Sequence, residues 1–195
     1  MTAEAPLTRE TILAAADQVL RRYGPRKTSV VDIARFLQVS HGTLYRHFPS
    51  KSALLTAVTE RWLYNSILLP LHAVAEKTRG SAEERLRMWF ETLFSKKRTN
   101  AAEEPEMFAM YAAVSVEADE CMKPHVEGLI GQIQSIVEYG VETKEFKPGN
   151  AAIKARALFQ ATSSFHHPAH VQEWKDSEID KAFDDVWQLL MSGLK

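Results

Sequence analysis

Ser40-His41-Gly42-Thr43-Leu44-Tyr45-Arg46-His47-Phe48-Pro49-Ser50-Lys51 is the stretch on which the fold turns. Ser40 has the hydroxyl of an N-cap and Pro49 cannot continue a helix, so the pattern predicts a short helix from His41 to Phe48. Leu44 and Phe48, four residues apart, share its buried face. His41, Thr43, Tyr45 and His47 are then turned outward. Gly42 costs a helix about 1 kcal/mol relative to alanine and is easiest to account for where backbone must lie close to another surface. Thr43 can donate to a phosphate or touch a thymine methyl, Tyr45 can reach a phosphate with its hydroxyl, and His41 and His47 carry donors for bases or backbone. Lys51, at the start of the next helix, adds a positive charge to the N-terminal dipole there. The plainer alternative is the solvated face of a small helical bundle.

Upstream, Thr8 opens a helix with Leu7 and Ile12 placed as a hydrophobic staple and a stripe of Ile12, Ala16, Val19, Leu20 and Tyr23; Gly24 and Pro25 end it. Ser29 and Asp32 cap a second helix of barely two turns with Val30, Ile33, Ala34 and Leu37 inward. Three short helices, the last two separated by about three residues, make a helix-turn-helix arrangement. Downstream the helices lengthen. Ser50 opens one that runs through Leu54, Leu55, Val58 and Trp62 towards Glu76, with a kink expected at Pro70. Ser81-Ala82-Glu83-Glu84 is a capping box for the next, with the stripe Leu86, Trp89, Phe90, Leu93 and Phe94. The polar stretch from Ser95 to Glu104 reads as a flexible loop, and further helices are expected over 105–117, 120–143, 151–166 and 178–193. The prediction is an all-α protein of about nine helices, with a helix-turn-helix headpiece at 1–51 and a helical body at 52–195.

With 195 residues, 45% apolar and 25% charged, the chain is long enough for a real core and has the composition of a folded globular protein. No apolar run approaches the ~20 residues of a spanning helix, and Met1 to Leu7 shows no basic region followed by an apolar one, so the cytoplasm is the expected compartment. The single cysteine, Cys121, agrees with a reducing environment. Net charge is −1, but residues 1–51 carry eight Lys and Arg against four Asp and Glu, while the remainder carries sixteen against twenty-one. A basic headpiece on an acidic body suits phosphate at one end and another task at the other.

Residues 9–55, with Thr11-Ile12-Leu13-Ala14-Ala15-Ala16, Gly24, Thr28-Ser29, Asp32-Ile33-Ala34, Val39-Ser40, Gly42-Thr43-Leu44-Tyr45, His47-Phe48, Lys51, Leu54 and Leu55, resemble the DNA-binding domain of the TetR (tetracycline-repressor-like) family. The resemblance implies a dimeric, all-helical transcriptional regulator whose body dimerises and binds a small molecule; with the bulky side chains of the body and the twofold reading of a palindrome, the expected protein is a homodimeric, ligand-responsive repressor, released from a palindromic double-stranded operator when a small hydrophobic effector binds. Carried over by position, the DNA-contacting set is Ser29, Ser40, His41, Gly42, Thr43, Tyr45, His47 and Lys51. Val31 departs from members that have a basic residue there, so fewer bases are read from the second helix.

Beyond the headpiece, ligand-binding candidates are Trp62, Phe90, Phe94, Met107, Met110, Tyr111, Tyr139 and Phe159, bulky and adaptable side chains that also serve as ordinary core. A dimer seam is expected from the last two helices through Ala157, Ala161, Phe165, Phe183, Trp187 and Leu190. The cluster His166-His167-Pro168-Ala169-His170, with Cys121 and His125 as partners, raises the alternative of a metal-responsive sensor. Pro168 and the lack of an adjacent carboxylate weigh against a metal, and no cofactor is expected. There is no Gly-rich phosphate loop, nucleophile elbow or His-Glu-x-x-His pair, so no enzymatic activity is expected.

Overall fold

A computed structural model describes residues 7–76, 79–117 and 119–195, which leaves outside it most of the N-terminal stretch read for a leader. The described residues hold helices and no strand, and no helix among them is long and apolar enough to cross a membrane. In the headpiece each turn is made by the side chains that the sequence offers. Thr8 caps α1 (Arg9–Tyr23) and Ser29 caps α2 (Val30–Phe36), each in a reciprocal capping box with the residue three positions on. Ser40 caps α3 (His41–His47), its Oγ accepting from the Thr43 N–H at 3.2 Å. Gly24 closes α1 at φ +76°, where a Cβ would also run into the Glu106 carboxylate of the body. The expected stripe of α1 is buried except at its end: Tyr23 is 52% exposed.

α4 (Lys51–Leu63) leaves the headpiece and passes through one wide π turn, Tyr64–Leu68, into α5 (Leu69–Ala75). Pro70 lies just beyond that turn. A proline has no N–H for the carbonyl four residues back and its ring crowds it, and the widened turn absorbs the misfit where a simple kink was expected. Taking α4 to α5 as one rod, the α-helices among the described residues number nine, as the sequence suggests.

α6 (Ala82–Glu103) is the central mast of the body. It starts at the predicted Ser81 capping box and continues straight through Ser95 to Glu104, where a flexible loop was expected. Lys97 and Asn100 extend the apolar stripe in register, and both are buried with partners: Lys97 Nζ donates to Tyr111 Oη at 2.9 Å and Asn100 Nδ2 to Ser66 Oγ at 3.0 Å. Tertiary hydrogen bonds thus hold polar residues at helical core positions. α7 (Pro105–Glu117) packs among α4, α6 and α8 (Asp119–Glu142), which in turn lies along α9 (Ala151–Ala161). Three 3-10 turns carry the chain from Ser163 to Lys175, and α10 (Ile179–Leu194) closes the body against α6 through Arg87–Asp184 and Arg98–Asp180. One apolar core runs unbroken from Ile12 and Leu44 in the headpiece to Trp187 in α10.

Candidate nucleic-acid interface and buried polar cluster

On α3, Leu44 is wholly buried and Phe48 nearly so, which leaves His41, Gly42, Tyr45 and Arg46 exposed. His41 and Tyr45 meet edge to face at 6.3 Å, a small aromatic ridge at the helix N-terminal end. Thr43 and His47 are half-buried, and Thr43 Oγ1 lies 2.8 Å from Ser40 Oγ. Arg9 Nη1 donates to the His47 carbonyl at 3.1 Å while its guanidinium lies 4.2 Å over Phe48, so α1 holds the far end of α3. Two more of the predicted contacts are engaged within the chain. Ser29 Oγ, which accepts from the Asp32 N–H, donates to Asp32 Oδ2 at 2.6 Å, and the Ser29 N–H donates to the same oxygen at 2.9 Å; these two donors hold the Asp32 carboxyl below the usual carboxylate range. Lys51 Nζ donates to the Pro25 carbonyl at 3.0 Å, which leaves two of its three donors. Arg46, not among the residues singled out by sequence, is the exposed cation of α3 itself. Val31 is 48% exposed and brings only methyl groups to this face.

In the body, six of the eight ligand-binding candidates are buried, and most join one aromatic system. Phe94 touches Phe90 and stands face to face with His166 at 6.2 Å, while the half-buried Phe159 lies 4.4 Å from the same imidazole. Tyr111 contacts Trp62 at 6.3 Å and His125 at 6.5 Å. Two candidates are elsewhere: Met110 lines an outer cleft beside Pro25 and Lys51, and Tyr139 lies under Arg85 at 4.5 Å.

Between the two halves of the aromatic system sits Lys97, 1% exposed, its Nζ on Tyr111 Oη and 4.1 Å over that ring. No carboxylate among the described residues pairs with it. Burial pushes its ammonium down from 10.5 to about 7. Burial, aided by the Lys97 charge, also lowers His166 to about 3 and takes His125 well below its ordinary value, while burial drives the Tyr111 phenol up. His166 Nε2 is 3.2 Å from the Phe159 carbonyl, but His125 Nε2 is buried with no partner. Sequence reading missed Lys97 because it lay in the presumed loop; its place three residues after Phe94, on the same stripe, was the available signal.

The metal reading finds no support. Among the described residues no group of three His, Cys, Asp or Glu side chains could hold an ion. His167 accepts from the Ala169 N–H, His170 pairs with Glu173, and His166 is turned into the core. The predicted seam needs a correction as well. Phe165, Phe183 and Trp187 are buried in the protomer's own core against Phe90 and Phe94, because the apolar face of α10 is used on α6; Ala157 and Ala161 remain exposed and Leu190 half-exposed.

One carboxylate ties headpiece to body. Glu104 Oε2 accepts from Trp62 Nε1 at 2.5 Å and pairs with Arg21 of α1 at 2.5 Å. Glu104→Ala is expected to lower stability by about 1 kcal/mol, mostly through the Trp62 N–H, since Arg21 is partly in water. Glu104→Gln keeps an acceptor and should lose less; equal losses in urea unfolding would show that the indole bond contributes nothing.

Residues 82–187 match the family described as Tetracyclin repressor-like, C-terminal domain, and residues 12–58 match Bacterial regulatory proteins, tetR family. The HTH-type transcriptional repressor Rv3405c of Mycobacterium tuberculosis is 43% identical over 49 residues, covering 25% of this chain and 26% of that protein. The HTH-type transcriptional regulator UidR of Escherichia coli is 41% identical over 58 residues, 30% of each chain. These matches span between a quarter and a third of the relatives' length. Among solved structures, the regulator FadR from Bacillus subtilis in complex with stearoyl-CoA has a TM-score of 0.66 at 18% identity, over 96% of this chain and 100% of that one. SmeT, the repressor of the Stenotrophomonas maltophilia multidrug efflux pump SmeDEF, has 0.64 at 17%, over 96% and 90%. At such identities the likeness concerns the fold.

Proposed function

The chain belongs to the tetracycline-repressor-like family of transcriptional regulators, DNA-binding proteins and not enzymes, and on that premise we propose that it is a cytoplasmic repressor that holds a palindromic operator as a homodimer and leaves it when a small apolar molecule enters the body. In this reading residues 1–51 read DNA and residues 52–195 bind the effector and the second protomer. The observation that carries it is α3: a Ser40-capped helix with His41, Gly42, Tyr45 and Arg46 exposed together, held at its far end by Arg9. Such a helix presents its N-terminal side chains to a major groove. Lys51 and Tyr45 serve phosphates, His41 and His47 serve bases, and Ser29 and Thr43 engage by exchanging the internal bonds of their capping turns for a phosphate oxygen. FadR is seen with a stearoyl thioester, which supports an apolar effector among the rings of α6 to α9. The outward faces of α9 and α10 supply the dimer seam, with Ala157, Ala161, Ile153 and Leu189 on them.

The test is operator selection followed by binding across salt concentrations. Tyr45→Phe is expected to weaken binding to all sequences alike. His41→Ala should instead relax preference at one base pair per half-site, by about 1–3 kcal/mol. Selection that returns the same motif for His41→Ala with undiminished preference would remove that residue from base reading.

A further inference from the structure

Lys97 is a buried cation among phenyl rings with no anion beside it, an arrangement that folding alone does not favour: taking an ammonium out of water is costly unless it is paired. Its environment is also donor-rich. Tyr111 Oη accepts from Lys97 Nζ and has the Ser115 hydroxyl beside it, while its own phenolic proton can still be donated. His125, edge-on to Tyr111, has a buried Nε2 that no group among the described residues engages. Phe94 and Phe159 pack on His166 and Trp62 packs on Tyr111, so the neighbouring rings are apolar and bring no negative charge. His125 also faces outward at the other side of its ring: it lines a cleft of about 510 Å³ between headpiece and body, with Leu13 of α1, Arg61 and Tyr64 of the linking rod and Cys121 of α8. The cleft thus brings solvent to one side of the His125 ring, while its Nε2 is buried.

We propose that the effector is an apolar carboxylate, its acid group taken by Lys97 Nζ, Tyr111 Oη and His125 Nε2, and its apolar part lying among Phe94, Phe159 and Trp62. The assignment rests on the reading of the body as an effector domain and specifies what that domain selects. The missing anion is supplied by the ligand, so affinity and selectivity come from the same pair: a neutral analogue of equal shape leaves the ammonium uncompensated. Since the entry cleft is shared by α1 and the rod, a ligand passing His125 also acts on the headpiece at the place where it meets the body.

Binding is read by quenching of tryptophan fluorescence and by melting temperature, with decanoate and biphenyl-4-carboxylate as the acids and 1-decanol and biphenyl-4-carboxamide as their neutral counterparts. The two acids separate an alkyl from an aryl body. At least one acid is expected to bind ten-fold or more tightly than its neutral counterpart in the wild type, and Lys97→Met, close in shape and uncharged, should fold and lose that preference. Lys97→Arg, which keeps the charge, is expected to retain part of it. Equal binding of acid and neutral analogue, or a preference that survives Lys97→Met, overturns the carboxylate assignment and leaves the effector reading standing. Binding of none of the four overturns it too. Separately, a screen in which no small molecule of any charge releases protein from its selected operator would sink the effector reading itself.

Discussion

Ile153→Glu combined with Leu189→Glu is expected to convert the protein to a folded monomer that has lost about a thousand-fold or more of its operator affinity. Both side chains are large, apolar and open to solvent in the single protomer, 67% and 72% exposed, so the substitutions leave the core untouched. On the surface of a helix such residues are tolerated singly, but a seam between two copies sets each against its symmetry mate. Four carboxylates brought into that seam would have to be desolvated close to one another, which disfavours association strongly. A monomer keeps one reading helix and so one half-site, and the free energies of two half-sites no longer add. What remains is close to non-specific binding, commonly 10³-fold or more weaker than specific binding. Light scattering gives the oligomeric state, circular dichroism the fold, and fluorescence anisotropy the affinity. A variant that stays dimeric would place the seam elsewhere.

Stability is expected to rise by about 2 kcal/mol between pH 7 and pH 9, an uncommon direction for a protein of ordinary composition. The cause is Lys97. In the unfolded chain its amine keeps a proton up to about 10.5, and in the folded protein it releases it near 7. Between those values the unfolded state binds more protons, so stability increases with pH. His125 and His166 act lower on the scale by the same sign. Their folded values are depressed, so acidification below 6.5 protonates the unfolded chain first; about 2 kcal/mol is expected to be lost by pH 5 through His166, and His125 acts in the same direction. The groups facing Lys97 are Tyr111 from α7, His125 from α8 and His166 from the turns after α9, with His167 and His170 further along the same turns; none is an acid that would hold the ammonium charged. Urea unfolding at pH 5, 7 and 9 checks both limbs. Lys97→Met should flatten the alkaline limb and keep the acid one; a wild type with no alkaline rise would mean that water or a rearrangement pairs the buried amine.

The headpiece was legible because its signals are local. Thr8, Ser29, Ser40 and Ser50 each hold the backbone N–H three residues on, and Gly24 takes the positive φ that closes α1, so caps and punctuators alone place three helices and their turn. The body depends on contacts between residues far apart in sequence. Ser95 to Glu104 looks like a loop until Tyr111 and Ser66 are known to receive Lys97 and Asn100. An apolar stripe shows that Phe183 and Trp187 must be covered, but not whether α6 or a second protomer covers them. Likewise Trp62, Phe94, Tyr111 and Phe159 were identifiable as bulky side chains of the body. The cation around which they gather was not, because nothing in a one-dimensional pattern marks a lysine as buried.

The wide turn at Tyr64–Leu68 has a mechanical consequence. Leu63, Ile67, Leu71 and Ala75 are buried at intervals of four residues, a spacing that would creep about 40° round an ordinary α-helix at every step. The turn takes up this creep and keeps the buried stripe on one side of the shaft. It is gripped from the side by two amides of the body: Asn100 Nδ2 holds Ser66 Oγ at 3.0 Å, and Gln132 Nε2 holds the Leu68 carbonyl at 3.0 Å while its Oε1 takes the Trp89 indole. α6 and α8 thus hold the rod at the wide turn by hydrogen bonds as well as by packing along α5, so a shift of either helix is expected to be passed on to α4. In the proposed DNA-bound dimer, a turn of the rod is expected to change the angle at which α3 meets its groove.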